Sequence, residues 1–214
     1  MREATPSDDA GAGAPDPDEA PAGPPDAGAA PGAISTRPIF EGRIVHLSVD
    51  TVRFPDGSVG ELEMIRHSGA AAVLPVLDDP GEEDPRIVLV RQYRYATGGY
   101  LLEVPAGRPD RPGEDWEVCA RRELEEETGL TAERLVPLGT IFTTPGFTDE
   151  RIHLFLALGI REDGVPAPDA DEFVEPVTLT LSDALARVRA GSIVDAKTIC
   201  TLHHAAAHLR NGLR

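Results

Sequence analysis

Three glutamates, Glu123, Glu126 and Glu127, stand at positions i, i+3 and i+4 of the run Arg122-Glu123-Leu124-Glu125-Glu126-Glu127-Thr128-Gly129-Leu130. On a helix these spacings put all three carboxylates on one face. Like charges so placed oppose helix formation by roughly 0.2–0.5 kcal/mol per pair, so something must offset them. Hard divalent cations take carboxylate and carbonyl oxygens, and Mg²⁺ characteristically combines a few carboxylates with the phosphate oxygens of a substrate. The cluster therefore points to phosphate chemistry supported by cations. Arg122 stands beside it and can orient a neighbouring carboxylate through a charge-assisted hydrogen bond. An acidic run by itself is the usual composition of a solvated helix face. The longer pattern separates the two readings. It specifies Glu114, seven residues, Arg-Glu, an aliphatic, any residue, Glu-Glu, any residue, Gly and an aliphatic. A chance match to it is on the order of one in a million at ordinary residue frequencies.

Positioning these side chains requires a helix and a scaffold. Glu114 to Thr128 reads as a helix whose acidic first turn suits the helix dipole and which Gly129 closes. Val118, Ala120 and Leu124 are its expected buried stripe. A Pro/Gly-rich loop, Gly107 to Gly113, precedes it. Upstream, Ile39 to Val52 and Leu62 to Ile65 read as an antiparallel pair around the turn Pro55-Asp56-Gly57. Ala70–Leu77, Ile87–Arg91 and Tyr100–Val104 are short apolar strands. Downstream, Leu135–Phe142, Arg151–Leu158 and Val174–Leu181 are further strands. Helices follow from a Ser182-Asp183 cap to Ala190, and from Ala196 to Leu209. Hairpin signals before the first long helix predict a mixed sheet with helices on its faces, not a doubly wound parallel sheet.

Composition narrows the class. The chain has 214 residues, 20 Lys+Arg and 37 Asp+Glu, a net charge of −17. That balance argues against nucleic acid and anionic membrane as partners, because both need clustered positive charge. Residues 1–33 hold seven acids against Arg2, a net of −6, and are otherwise almost wholly Ala, Pro and Gly. They cannot bury enough apolar surface to order themselves, so residues 1–35 are expected as a disordered tail and 36–214 as one domain, with N-terminal strands over 38–66. The tail has neither a basic start nor an apolar stretch, so no signal peptide is expected. No apolar run approaches the roughly 20 residues of a membrane-spanning helix. Cys119 and Cys200 form neither a disulfide framework nor a metal cluster, and the six histidines show no zinc-ligand spacing. Cytoplasmic location is the expectation.

The stretch Gly107–Leu130 resembles the Nudix box, written G-x5-E-x7-R-E-U-x-E-E-x-G-U with U aliphatic. The match is complete from Glu114 to Leu130. Gly107 is six residues from Glu114 (Arg108 to Gly113) where the motif has five, a one-residue insertion before the helix. The resemblance implies an α/β/α sandwich around a mixed sheet, with the N-terminal antiparallel strands as an extension. It also implies Mg²⁺- or Mn²⁺-dependent hydrolysis of a nucleoside diphosphate linked to another group. It assigns Glu123 and Glu127 as metal ligands, with Glu126 as a further one.

Outside the box the chain looks like the ADP-ribose pyrophosphatase branch. Leu102-Glu103-Val104-Pro105-Ala106-Gly107 resembles its E-x-P-A-G entry, where the alanine carbonyl, here Ala106, coordinates metal. Pro145 lies fifteen residues past Leu130, the spacing that marks ADP-ribose hydrolases in the family. Leu181-Ser182-Asp183-Ala184-Leu185 and Gly191 to Thr198 are also similar to that branch. The resemblance assigns Arg94 to the diphosphate, a role that suits guanidinium geometry, with Arg108 as a second candidate. It places Glu63, His67 and Thr144 along the nucleotide site. Glu172 falls where relatives carry a loop glutamate that binds metal or acts as base; a second acid two residues earlier in some relatives is Ala170 here. Glu150 is the runner-up base. Relatives are homodimers that share the adenosine site, which puts Phe40 and Glu63 near an interface. The implied reaction is conversion of ADP-ribose to AMP and ribose 5-phosphate. Alternatives are another nucleoside diphosphate sugar or a dinucleotide as substrate, a nucleotide sensor without turnover, and a protein-interaction role for the tail.

Overall fold

The computed structural model describes residues 31–167 and 173–211. Strands β1 (Gly32–Glu41), β2 (His46–Arg53) and β3 (Val59–Arg66) come first, then β4 (Ala70–Pro75), β5 (Arg86–Arg94), β6 (Gly99–Glu103) and β7 (Ala106–Gly107). Helix α1 (Trp116–Thr128) leads to β8 (Thr131–Phe142), β9 (Arg151–Arg161) and β10 (Val174–Thr180), and helices α2 (Leu181–Arg189) and α3 (Ala196–Asn211) follow. Among the described residues the strands form three sheets, ordered β1-β2-β3, β10-β5-β6 and β7-β4-β9-β8. Strands β4 and β9 run parallel and the other pairs antiparallel, so the central sheet is mixed as expected.

Period-two alternation builds the sandwich. Ala70, Ala72 and Leu74 of β4 join one buried cluster, while Ala71 and Val73 join another. Strand β9 divides in the same way, Leu154 and Leu156 against Phe155 and Ala157. The first cluster packs on α2 and α3 through Ala184, Leu202, Ala205 and Leu209. The second packs on α1 through Cys119, Ala120 and Leu124. A sheet apolar on both faces needs a helical layer on each, and this α/β/α sandwich supplies them. Leu124 is 1% exposed, and its truncation to alanine would cost about 2–5 kcal/mol.

Several boundaries differ from the sequence reading. Ile39–Val52 is two strands, because Gly42 N donates to Val45 O at 2.8 Å and turns the chain between them. Strand β1 starts at Gly32, so residues 32–35 of the expected tail are strand, paired with β2. Residues 1–30 of that tail lie outside the described residues. Helix α1 begins at Trp116, since the side chain of Asp115 accepts hydrogen bonds from Glu117 N and Val118 N and so acts as its N-cap. Val118 is exposed, and Cys119 takes its expected place in the buried stripe. Thr180, not Ser182-Asp183, caps α2. No helix of the described residues is long and apolar enough to cross a membrane.

Candidate active site

Helix α1 turns Glu123 and Glu127 inward, where both are buried, and leaves Glu126 partly open. Facing them is β7, held against β4 by the pairs Ala71–Gly107 and Ala72–Ala106. The Glu123 carboxylate lies on Gly107 so closely that a Cβ there would overlap it. A side chain at position 107 would displace the Glu123 carboxylate, and backbone conformation plays no part in this. Ala106, the neighbour of Gly107 on β7, thus lies next to the strand residue that packs on Glu123.

Arg122 organises the face. Its Nη1 donates to Glu123 Oε1 at 2.7 Å and Glu126 Oε2 at 2.8 Å, and its Nη2 donates to the carbonyl of Arg108 at 2.7 Å. Its Nε lies 3.2 Å from Asp110 Oδ2. The Glu114 carboxylate accepts Asp110 N at 3.1 Å. These bonds tie down the loop that carries the one-residue insertion. Burial works against the Arg122 charge, but Glu123 and Glu126 outweigh it and hold the guanidinium firmly protonated. Burial, reinforced by the nearby Glu123, pushes the Cys119 thiol up to about 11, so it is no nucleophile at neutral pH.

A second ionic group adjoins the first. Arg94 Nε and Nη2 donate to Glu103 Oε1 and Oε2, each at 2.9 Å. Glu103 is 1% exposed and also takes Lys197 Nζ. Lys197 reaches Asp195 at 3.1 Å. The hydrogen bonds to Glu103 raise the Arg94 pKa, and the charges of Glu127 and Asp195 add to the effect. Burial pushes Glu103 up, but the Arg94 bonds and Lys197 outweigh it and leave its pKa lowered.

His67 and Thr144 belong to a third group. Asp149 Oδ1 accepts His67 N at 2.9 Å, and Arg66 bridges Asp149 to the buried Asp50 of β2. His67 Nδ1 is 3.4 Å from Glu150, whose other oxygen accepts Thr143 Oγ1 at 2.7 Å. The Thr144 carbonyl accepts Phe147 N and Thr148 N at 3.2 Å. The Glu150 carboxylate is thus engaged in fastening this loop. Phe40 and Glu63 are exposed on β1 and β3, apart from α1, and the Arg108 side chain is exposed. Glu172 lies outside the described residues. On either side of it, Ala167 N donates to Glu126 O at 2.9 Å and Tyr93 N to Phe173 O at 3.3 Å.

Sequence reasoning missed Glu103, Lys197, Asp195 and Asp50 as site-forming groups. For Asp50 a signal exists: Ser48 and Asp50 stand at i and i+2 of a strand, and both point inward.

Among the described residues no three Asp, Glu, His or Cys side chains converge closely enough to hold a metal as they stand, and Arg122 Nη1 sits between Glu123 and Glu126. The donor set nonetheless fits a hard divalent cation. It offers oxygen donors alone, on one helix face against a backbone strand whose glycine leaves them room.

A three-layer sandwich with a carboxylate-bearing helix packed on its mixed sheet defines an α/β domain. The NUDIX domain model matches residues 66–200, and the chain belongs to that family. It is 41% identical over 172 residues to a methanol dehydrogenase activator of Bacillus methanolicus, covering 80% of this chain and 90% of that one. It is 40% identical over 173 residues to an ADP-ribose pyrophosphatase of Bacillus subtilis (strain 168), with the same coverage. A solved ADP compounds hydrolase superposes with a TM-score of 0.72 at 21% identity, over 88% of this chain and 98% of that chain, a likeness of fold.

Proposed function

We propose that this protein hydrolyses the diphosphate of ADP-ribose, consuming one water to give AMP and ribose 5-phosphate. The observation that carries the reading is the burial of Glu123 and Glu127 beside β7, with Arg94 within the field of Glu127. The two ADP-ribose features, Ala106-Gly107 after Glu103 and Pro145 after the box, and the 40% identity to an ADP-ribose pyrophosphatase support the substrate.

The Ala106 carbonyl with Glu123, Glu126 and Glu127 would hold Mg²⁺, or Mn²⁺ in its place, with Glu172 as a further ligand or as general base. Bound there, such a cation would neutralise diphosphate charge and lower the pKa of a water. Arg94 grips the diphosphate, with Arg108, beside Gly107, as a second candidate. Glu172, acting as base, takes the proton of the attacking water. Arg122 keeps Glu123 and Glu126 in register.

The protein acts as a homodimer. Every residue of β1 is exposed, and Ile34, Ile39, Phe40, Val59 and Leu62 leave apolar surface on the β1-β2-β3 sheet, of the kind a second copy covers. Glu63, His67 and Thr144 then line the nucleotide end of the site. Two free cysteines suit the reducing cytoplasm.

A hydrolysis panel of ADP-ribose, NADH and GDP-mannose with added Mg²⁺ and product identification tests the reading. ADP-ribose is expected to turn over fastest, yielding AMP. Equal rates on all three would overturn the substrate assignment, and no turnover of any would favour a sensing module.

A further inference from the structure

Two consecutive residues at the start of α3 grip two consecutive residues, Glu103 at the end of β6 and Val104 just past it. Lys197 Nζ meets the Glu103 carboxylate, and Thr198 Oγ1 accepts the backbone N–H of Val104, next to Glu103, at 2.9 Å. Asp195 fixes this turn, accepting Thr198 N at 2.9 Å and Thr198 Oγ1 at 2.6 Å while pairing with Lys197 at 3.1 Å. Lys197 and Asp195 are largely shielded, their side chains 12% and 17% exposed. Glu103 in turn presents both oxygens to Arg94. A glutamate has three side-chain torsions, and its plane must be fixed before a guanidinium can be held by a two-bond fork. With Nε and one Nη2 hydrogen held by Glu103, the remaining N–H groups on Nη1 and Nη2 have one orientation to offer a substrate phosphate.

We propose that Lys197 is a positioning residue which, through the buried Glu103, fixes the Arg94 guanidinium in the orientation that meets the diphosphate. The inference rests on the reading of Arg94 as the diphosphate-binding group. It ties α3, on one face of the sheet, to substrate binding beside α1 on the other. Lys197 itself touches no substrate. Its effect passes through Glu103 and Arg94 and falls on binding more than on the chemical step.

Steady-state kinetics with ADP-ribose and Mg²⁺ on Lys197→Met, Arg94→Gln and the double variant, each checked by thermal melting, test this. Lys197→Met is expected to raise KM about tenfold with kcat within about twofold. The double variant is expected to match Arg94→Gln alone, because Lys197 then has nothing left to orient. Lys197→Arg is expected to recover most of the lost affinity. A full Lys197 effect persisting on the Arg94→Gln background, or a folded Lys197→Met with unaltered KM, would overturn the inference and leave the Arg94 reading standing. Unaltered kinetics in Arg94→Gln would overturn that reading and the inference with it. If Lys197→Met does not fold, the KM change of Lys197→Arg must vanish in the Arg94→Gln background for the inference to hold.

Discussion

Nη1 of Arg122 lies 2.7 Å from Oε1 of Glu123, its neighbour in the chain, and shares itself with Glu126 Oε2 at 2.8 Å. One guanidinium thus stands among carboxylates whose mutual repulsion opposes the helix that carries them. Arg122 serves as the counter-charge of the acidic face and, through the Arg108 carbonyl and Asp110, as the clasp of the preceding loop. Arg122→Gln is expected to cost about 2–3 kcal/mol in metal-free protein, because hydrogen bonds to charged groups are lost and the carboxylates repel. Saturating Mg²⁺ should return part of it. Urea unfolding with EDTA and with Mg²⁺ measures both, and equal losses under the two conditions would contradict the counter-charge role.

Gly107 tests how tightly the site is built. An alanine there would drive its Cβ into the Glu123 carboxylate, with no left-handed backbone to explain any damage. Gly107→Ala is expected to lower kcat about 100-fold with circular dichroism unaltered, since a displacement near 1 Å is enough for such a loss. Wild-type turnover would show that Glu123 need not stay where it is.

Glu127 is buried at the centre of the acidic face. Glu127→Gln keeps the volume and removes the charge. It is expected to lower kcat at least about 100-fold, a loss typical of removing one electrostatic contributor from a reacting centre. Unchanged activity in the purified variant would end the catalytic reading of α1.

Glu103 gives a pH signature. Its folded pKa is depressed below the ordinary glutamate value of 4.5 by Arg94 and Lys197, despite its burial. A depressed carboxylate contributes stability that is fully present above its unfolded pKa and is lost as pH falls through its folded value. Unfolding free energy is therefore expected to drop below pH 4.5, and Glu103→Gln should flatten that limb while being less stable at pH 7. Denaturant titrations of both proteins at pH 7, 4.5 and 3 check this; parallel curves would mean that other carboxylates set the acid limb.

The exposed strand β1 bears on assembly. Ile39→Asp with Phe40→Asp places charge on the apolar surface proposed to be covered by a second copy. Light scattering after size exclusion is expected to give twice the chain mass for wild type and a single chain mass for the variant. A monomeric wild type would contradict the dimer.

The acidic helix and the mixed sandwich were legible in the residues alone because their signals are local. Helix α1 rests on a period of 3.6 residues, an acidic first turn and a closing Gly129, all local signals, whereas the capping by Asp115 came from the structure. Strands β4 and β9 are short apolar runs whose alternate residues fill two separate cores, so the sheet needed a helical layer on each face. The Glu103–Lys197 pair was not legible. Its partners are 94 residues apart, and nothing in either one's neighbours requires the other. The same holds for Arg66 and Asp149, 83 residues apart, which fasten the Thr144 loop to the N-terminal sheet. Local chain geometry could assign carboxylates to one helix face, whereas choosing which cation each distant acid meets took the packing of α3 and the N-terminal strands onto the sheet. Burial makes those choices decisive, since a charge removed from water must find its partner wherever the fold brings one.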